Sequence, residues 1–206
     1  GVNLTDERFS GVPVDLEFHG ALRAEQQQAA DALLQHDTGV LSATTAFGKT
    51  VVAAYLVARR QVNTLVVVHR RQLLDQWIEA LSQFLGIASE EIGQIGSGKR
   101  NPMGKIDVGM IQSLYRKGVV NDIVGEYGYL VVDECHHISA ISFEQVVRQS
   151  KARYITGLSA TVVRKDGHHP IIFMQCGPVR YRVDARRQAK KRPFDHKVIV
   201  RPTNFH

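Results

Sequence analysis

Between an apolar run and a helix-forming stretch lies Ala43-Thr44-Thr45-Ala46-Phe47-Gly48-Lys49-Thr50. A small residue, four free positions and then Gly-Lys-Thr are the pattern of a loop that binds nucleotide phosphates. Small residues allow backbone N–H groups to curl around phosphate oxygens, and the positive end of the following helix points at the same place. In this pattern Lys49 reaches the outer phosphates and Thr50 offers its hydroxyl to Mg²⁺. The stretch therefore predicts a nucleotide site at a strand-to-helix junction.

A second stretch, Gly93-Gln94-Ile95-Gly96-Ser97-Gly98-Lys99-Arg100, has the same spacing of glycine and lysine. It ends in Arg100 where the metal-binding hydroxyl is required. Asn101-Pro102 follows, which disfavours a helix at this point. We therefore predict a basic surface loop here and no second nucleotide site.

The rest of the chain alternates short apolar runs with helix-forming stretches. The run 64–68 is apolar and β-branched, which is typical of a strand covered on both faces. We predict strands at 40–43, 64–68, 106–111, 129–132, 153–158, 180–183 and 197–200, and helices at 24–35, 49–60, 71–84, 119–124 and 142–148. This alternation indicates an α/β fold with a mostly parallel sheet and helices on both faces. In such folds ligands bind beyond the carboxyl ends of the strands.

An acidic pair follows one of these strands, because Leu130-Val131-Val132 leads directly into Asp133-Glu134. At the strand tip Asp133 can add a carboxylate to the Mg²⁺ that Thr50 binds. Glu134 can then take a proton from an attacking water. A carboxylate pair is by itself more often a surface ion pair, but its place downstream of a phosphate loop favours the catalytic interpretation.

A third segment, Gly157-Leu158-Ser159-Ala160-Thr161, ends a further strand with small, hydroxyl-bearing residues. In the order phosphate loop, Asp133-Glu134-Cys135-His136 and Ser159-Ala160-Thr161, the chain resembles superfamily 2 helicases and translocases in their motifs I, II and III. Leu22-Arg23-Ala24-Glu25-Gln26 is similar to a signature of the branch that contains XPB-like proteins and type III restriction-enzyme helicase subunits. The resemblance covers about residues 22–167.

This resemblance implies a RecA-like P-loop NTPase lobe that uses ATP and Mg²⁺. The implied roles are catalysis by Lys49, Asp133 and Glu134, adenine recognition by Gln26, and coupling of the nucleotide state to nucleic acid by His136, Ser159 and Thr161. Two further segments resemble motifs that contact a nucleic-acid backbone, and they add the candidate binding residues Arg70, Gln72, Gln112 and Ser113. The chain departs from the pattern in its phosphate loop, where Ala46 replaces the usual Gly and Phe47 is bulky. We therefore expect its nucleotide affinity to differ from that of relatives.

Superfamily members have a second RecA-like lobe whose arginines reach the γ-phosphate. Such an arginine raises the rate by about 10³–10⁵ in related phosphoryl-transfer enzymes. We therefore expect this chain to be the N-terminal motor lobe of an ATP-dependent DNA helicase or translocase, with DNA favoured over RNA. The expected division is an extension at 1–20, the lobe at 21–167 and a basic segment at 168–206 that leads towards the second lobe. Alone, the chain should bind ATP weakly and hydrolyse it slowly.

Composition is that of one globular domain of 206 residues. Its two cysteines form no disulfide framework, which predicts a cytoplasmic location, and no apolar stretch is long enough to predict a membrane partner. Residues 162–206 hold eleven Lys and Arg against three Asp and Glu, whereas the remainder holds fifteen against seventeen. A basic segment of this kind either contacts a polyanion or is a solvated linker.

Two other functions stay open from the residues alone. A P-loop phosphotransferase would explain the phosphate loop but would leave 22–26 and 159–161 without a role. A nucleic-acid-binding module with a vestigial ATP site would explain the basic segment, but such a site would have no need of Glu134.

Overall fold

The computed structural model describes residues 6–135, 140–160 and 169–183. The strands in these ranges are β1 (Thr38–Ser42), β2 (Thr64–Val68), β3 (Gly93–Gly96), β4 (Lys99–Asn101), β5 (Ile106–Met110), β6 (Tyr115–Arg116), β7 (Val119–Val120), β8 (Tyr129–Val132), β9 (Tyr154–Ser159) and β10 (Val179–Arg182). Eight of them form one sheet in the order β10-β1-β9-β8-β2-β5-β3-β4. All its pairs are parallel except β3 with β4, while β6 and β7 form a separate hairpin.

Helices cover both faces of this sheet. The α-helices of the described ranges are α1 (Ala24–Leu34), α2 (Lys49–Arg60), α3 (Arg71–Leu85), α4 (Ile111–Leu114), α5 (Ala140–Gln149) and α6 (His169–Cys176), and short 3₁₀ turns occupy Thr45–Phe47, Ser89–Glu91 and Asp122–Glu126. Alternate residues of β2 belong to two apolar clusters, since Val66 packs with α1, α2 and α3 whereas Val67 packs with α5 and α6. The predicted α/β fold is therefore confirmed. Among the described residues, each helix is too short or too polar to cross a lipid bilayer.

Two local predictions are wrong, and both fail for the same reason. Residues 93–100 form the antiparallel pair β3–β4 instead of a loop. The helix predicted at 119–124 is replaced by strand β7 at its start, and only residues 122–124 are helical, within the 3₁₀ turn Asp122–Glu126. Each hairpin has a two-residue turn with positive φ at both positions, Ser97 (56°) with Gly98 (84°) and Lys117 (52°) with Gly118 (81°). Such turns match the twist of paired strands. The usual Asn-Gly signal is absent from both, so the sequence did not reveal them.

The described part of the segment after Gly167 joins the main sheet. Strand β10 confirms the strand predicted at 180–183 and pairs in parallel with β1, with Val40 opposite Val179 and Leu41 opposite Tyr181. The strand predicted at 197–200 lies outside the described residues.

The buried side chain of Asn63 ties the N-terminal segment to the sheet. Its Oδ1 accepts hydrogen bonds from the N–H groups of Val12 (2.9 Å) and Gly128 (3.0 Å). Its Nδ2 donates to the carbonyl oxygens of Glu126 (2.8 Å) and Gly104 (3.3 Å). One side chain thus satisfies four main-chain groups in three separate segments.

Asn63→Ala should lower the free energy of unfolding by about 2–4 kcal/mol, because it leaves several buried polar groups without partners. Asn101→Ala is the matched control, since Asn101 is exposed on the edge strand β4. The control should change stability by less than about 0.5 kcal/mol. Chemical denaturation of both variants measures the difference, and equal stabilities would contradict the role of Asn63.

Candidate nucleotide-binding site

The phosphate-loop sequence occupies the connection between β1 and α2. Gly48 follows its 3₁₀ turn (Thr45–Phe47) and has a φ of 82°, which is favourable only for glycine. A Cβ at this position would lie 2.7 Å from Gln26 Nε2. The ring of Phe47 is fully buried in the core, whereas Ala46 is exposed. The bulky side chain therefore packs beneath the loop instead of filling the concave side of its backbone.

Residues of the Leu-Arg-x-x-Gln segment hold this loop from the side of α1. Gln26 Nε2 donates to the carbonyl oxygen of Phe47 at 2.9 Å, and the guanidinium of Arg23 donates to the same oxygen. Gln26 Oε1 in turn accepts from the N–H of Arg23 at 3.0 Å. The amide of Gln26 thus fixes the loop, and its recognition of adenine stays a prediction. The role of Arg23 was not predicted from the sequence, although its position close to Gln26 in the Leu-Arg-x-x-Gln segment was the available signal.

Lys49 and Glu134 lie together, as the sequence predicted for two parts of one site. The Lys49 ammonium is 3.3 Å from Glu134 Oε1 and donates to the carbonyl oxygen of Ala43 at 3.0 Å. The side chain of Lys49 is only 5% exposed and that of Glu134 only 14%. Two partly desolvated charges therefore neutralise each other at the start of α2.

The backbone of Glu134 has a φ of 47°, which is uncommon for a residue with a side chain. Strand β8 ends immediately before it, and the N–H of Asp133 still donates to the carbonyl oxygen of Val67 at 2.9 Å. The chain thus turns sharply directly after its last pairing with β2. Backbone strain of this kind is concentrated at functional sites, where the surrounding structure enforces it.

Asp133 is almost fully buried at the tip of β8, and both its oxygens are hydrogen-bonded. Oδ1 accepts from the N–H of Glu134 at 2.9 Å, and Oδ2 accepts from the indole Nε1 of Trp77 at 2.7 Å. Burial raises the pKa of the Asp133 carboxyl, and the hydrogen bond from Trp77 opposes that rise. Sequence reasoning missed Trp77 as a site residue, because a tryptophan on the apolar face of a helix reads as core.

Strand β9 connects the phosphate loop to the acidic segment. It lies between β1 and β8 in the sheet, and its carbonyl oxygens accept from the N–H groups beyond the ends of both neighbours. Ala43 N donates to Ser159 O at 2.9 Å, and Cys135 N donates to Leu158 O at 3.1 Å. Ser159 is thus buried between the two halves of the site. His136 and Thr161, the other predicted coupling residues, lie outside the described residues.

Two oxygen-bearing side chains near the carboxyl edge fit the ligand chemistry of Mg²⁺. Thr50 lies in the first turn of α2 with a half-buried side chain. Asp133 directly follows strand β8 and carries a carboxylate. Mg²⁺ takes hard oxygen ligands, is bound through one or two protein groups and keeps several waters. Among the described residues, one donor is recorded for each oxygen of Asp133, and a carboxylate oxygen has further lone pairs that suit a metal or its water.

The four predicted nucleic-acid contacts also lie at the carboxyl edge. Strands β2 and β5 are paired up to Val68 and Met110, so the segments that follow them are neighbours. Gln112 Nε2 donates to the carbonyl oxygen of His69 at 2.9 Å and ties the two segments together. Three of these residues, Arg70, Gln72 and Gln112, are exposed, and Ser113 is half-buried.

A family model for the type III restriction enzyme, res subunit, matches residues 19–164. The match covers more than half of the chain and includes the phosphate loop, the acidic pair and β9. The chain belongs to this family.

Curated relatives of this family member carry names of nucleic-acid motors. The chain is 30% identical over 177 residues to the DNA 3'-5' translocase XPB2 of Sulfurisphaera tokodaii. The aligned region covers 86% of this chain and 39% of the relative. It is 31% identical over 175 residues to the DNA 3'-5' helicase XPB of Kineococcus radiotolerans, with 82% and 31% covered. The chain thus spans about a third of the length of these relatives.

Solved structures share the fold. The SWI2/SNF2 ATPase core of Sulfolobus solfataricus, determined in complex with double-stranded DNA, matches with a TM-score of 0.63 and 17% identity. The match covers 82% of this chain and 38% of the other. At this identity the comparison establishes the RecA-like architecture of the lobe.

Neither cysteine of the site region should react while the protein is folded. Cys135 and Cys176 are free thiols that are fully buried, and burial raises the pKa of Cys135 to about 12. Because only the thiolate reacts, a disulfide reagent such as DTNB near pH 8 should titrate no thiol of the folded chain. Two thiols should react after denaturation. Rapid reaction of a thiol in the folded chain would contradict the buried position of these residues.

Proposed function

We propose that this chain is the N-terminal ATP-binding lobe of a motor that couples ATP hydrolysis to movement on nucleic acid. The observation that carries the proposal is the contact between Lys49 and Glu134. It joins the phosphate loop to the acidic pair across β9, although the two residues lie far apart in the sequence. A phosphate-binding cation and a carboxylate able to accept a proton then face the same small volume at the carboxyl edge.

Each residue of the site has a proposed role. Lys49 neutralises the outer phosphates, and Gln26 recognises the adenine while it supports the loop. Thr50 and Asp133 hold Mg²⁺, which would neutralise charge on the phosphates when it is bound. Glu134 accepts a proton from the attacking water. The backbone of Thr44, Thr45, Ala46, Phe47 and Gly48 surrounds the phosphates.

The same edge supports a proposal for coupling. The carbonyl oxygen of Ser159 accepts a hydrogen bond from the N–H of Ala43, where the phosphate loop begins. A shift of this loop would therefore displace the end of β9. We assign the coupling role to Ser159 together with His136 and Thr161. Arg70, Gln72, Gln112 and Ser113 are proposed to contact the nucleic-acid backbone, which fixes position without reading sequence.

The complete motor requires more than this lobe. Because the chain spans 39% and 31% of two relatives, we propose that a second RecA-like lobe of the parent protein completes the ATP site. We favour DNA as the track, since both relatives are named for action on DNA. A cytoplasmic location stays a prediction from cysteine content alone. The isolated lobe should hydrolyse ATP slowly for lack of the second lobe's arginine.

Lys49→Ala should weaken ATP binding by tenfold or more, because it removes a buried cation that faces the phosphates. The chain supplies a matched control in Lys99, which follows a glycine in the same sequence pattern but lies exposed on the edge strand β4. Lys99→Ala should leave the affinity unchanged. Equilibrium titration of both variants with ATP and Mg²⁺ measures the difference. Equal losses, or no loss in Lys49→Ala, would refute the assignment of the phosphate loop.

Glu134→Gln in the intact parent protein should abolish ATP hydrolysis and leave nucleic-acid binding unchanged. The glutamine keeps the shape of the side chain but is a poor proton acceptor. ATPase activity is measured without polymer and with double-stranded DNA, single-stranded DNA or RNA. The wild-type rate should rise most with DNA, and no polymer should rescue the variant.

Indifference of the wild-type rate to every polymer would contradict a motor and favour a phosphotransferase. Full function of Glu134→Gln would instead support a binding module with a vestigial ATP site. Stimulation by RNA alone would overturn the preference for DNA and leave the motor assignment intact.

A further inference from the structure

Trp77 joins two parts of the molecule that the motif pattern treats separately. It lies on α3, whose buried positions Leu74, Trp77, Leu81 and Leu85 recur at helical spacing and pack against the sheet. The side chain is 1% exposed, so its apolar surface is buried in the core. Its one polar atom, Nε1, donates a hydrogen bond to Asp133.

This hydrogen bond is more than a means of satisfying a buried indole. An indole N–H can only donate, and any carbonyl oxygen would serve as its partner. Here the acceptor is the carboxylate at the tip of β8, at a distance of 2.7 Å. That value lies at the short end of the range for N–H···O bonds.

The bond fixes the orientation of the carboxylate. The main chain of Asp133 is held by its N–H bond to Val67, and Oδ1 is held by the N–H of Glu134. Rotation of the side chain about its last bond is then limited at Oδ2, and the donor at Oδ2 is Trp77. A phenyl ring at residue 77 would occupy much of the same volume and supply no such donor.

We propose that Trp77 is a positioning residue that holds the Asp133 carboxylate in the orientation required to bind Mg²⁺. This inference rests on the proposed function, since it takes Asp133 to be a Mg²⁺ ligand. Partners that orient a metal-binding side chain typically change metal affinity by about 10–100-fold when they are removed. The same helix begins at Arg71, directly after the proposed nucleic-acid contact Arg70, so α3 reaches both sites.

Trp77→Phe tests the inference in the 206-residue chain. ATP binding is measured at a series of free Mg²⁺ concentrations, starting in excess EDTA. The variant should need about tenfold more Mg²⁺ to reach half of its maximal ATP affinity. Binding of ATP in EDTA should be nearly the same as in the wild type, because the phosphate loop is not changed.

Leu81→Ala is the matched control, because Leu81 lies on the same buried face one turn further along α3 and does not contact Asp133 through a polar atom. It should lower the Tm without moving the Mg²⁺ midpoint. In the Asp133→Asn background, Trp77→Phe should have no additional effect on the Mg²⁺ dependence, since the carboxylate that it orients is gone.

A second measurement needs no change in the core. Trp77 is the only tryptophan of the chain, so a ¹⁵N-labelled sample gives one indole N–H resonance by NMR. This resonance should move when Mg²⁺ is added to the ATP-bound chain and should return on chelation. It should also move in Asp133→Asn, where the acceptor is no longer charged.

These outcomes distinguish failure of the proposed role of Trp77 from failure of the proposed nucleotide site. If the wild-type chain binds ATP with a clear Mg²⁺ dependence, an unchanged midpoint in Trp77→Phe together with a stationary indole resonance overturns the role of Trp77 alone. If the wild-type chain shows no Mg²⁺-dependent ATP binding, the proposed nucleotide site itself is refuted, and the inference falls with it. A shifted midpoint in Leu81→Ala equal to that in Trp77→Phe would assign the effect to general loosening of the core and would also overturn it.

Discussion

Strand β9 pairs in parallel with both β1 and β8, and the candidate site depends on this arrangement. Parallel strands end at the same edge of a sheet, so the phosphate loop after β1 and the acidic pair after β8 meet on either side of Ser159. Main-chain bonds from Ala43 and Cys135 to the end of β9 extend the pairing into both connections. Since apolar residues are buried on both faces of the sheet, a change of register would expose or displace the core.

Burial of charge is the second constraint. Lys49 and Asp133 are each only 5% exposed, and removal of an ionised group from water costs several kcal/mol unless partners replace the solvent. Lys49 donates to the carbonyl oxygen of Ala43 and pairs with the carboxylate of Glu134. Asp133 accepts a hydrogen bond from the indole of Trp77. The ion pair and the hydrogen bonds hold these groups in position. Fixed charges and dipoles of this kind need little reorganisation when a charged ligand binds.

The supporting residues come from outside the motifs that bear the chemistry. Arg23 and Gln26 hold the loop through one carbonyl oxygen of Phe47, and Trp77 holds the carboxylate from α3. These contacts hold the side chains of the candidate site in place at the carboxyl edge of the sheet. The chain spans 39% and 31% of the length of the two relatives named above.

The sequence by itself determined the alternation of buried strands with helices, and with it the α/β fold, because runs of apolar residues and glycine-lysine patterns are local signals. It also predicted one site for Lys49, Asp133 and Glu134 from the order of the motifs, and the structure brings Lys49 within 3.3 Å of Glu134. The sequence did not predict the hairpins whose turns contain Gly98 and Gly118, because these turns lack a strong local signature. Only the tertiary structure decided that Trp77 donates to Asp133 and that Phe47 packs inward. Those contacts join residues distant in the chain, and their geometry is set by sheet pairing and core packing that no local pattern records.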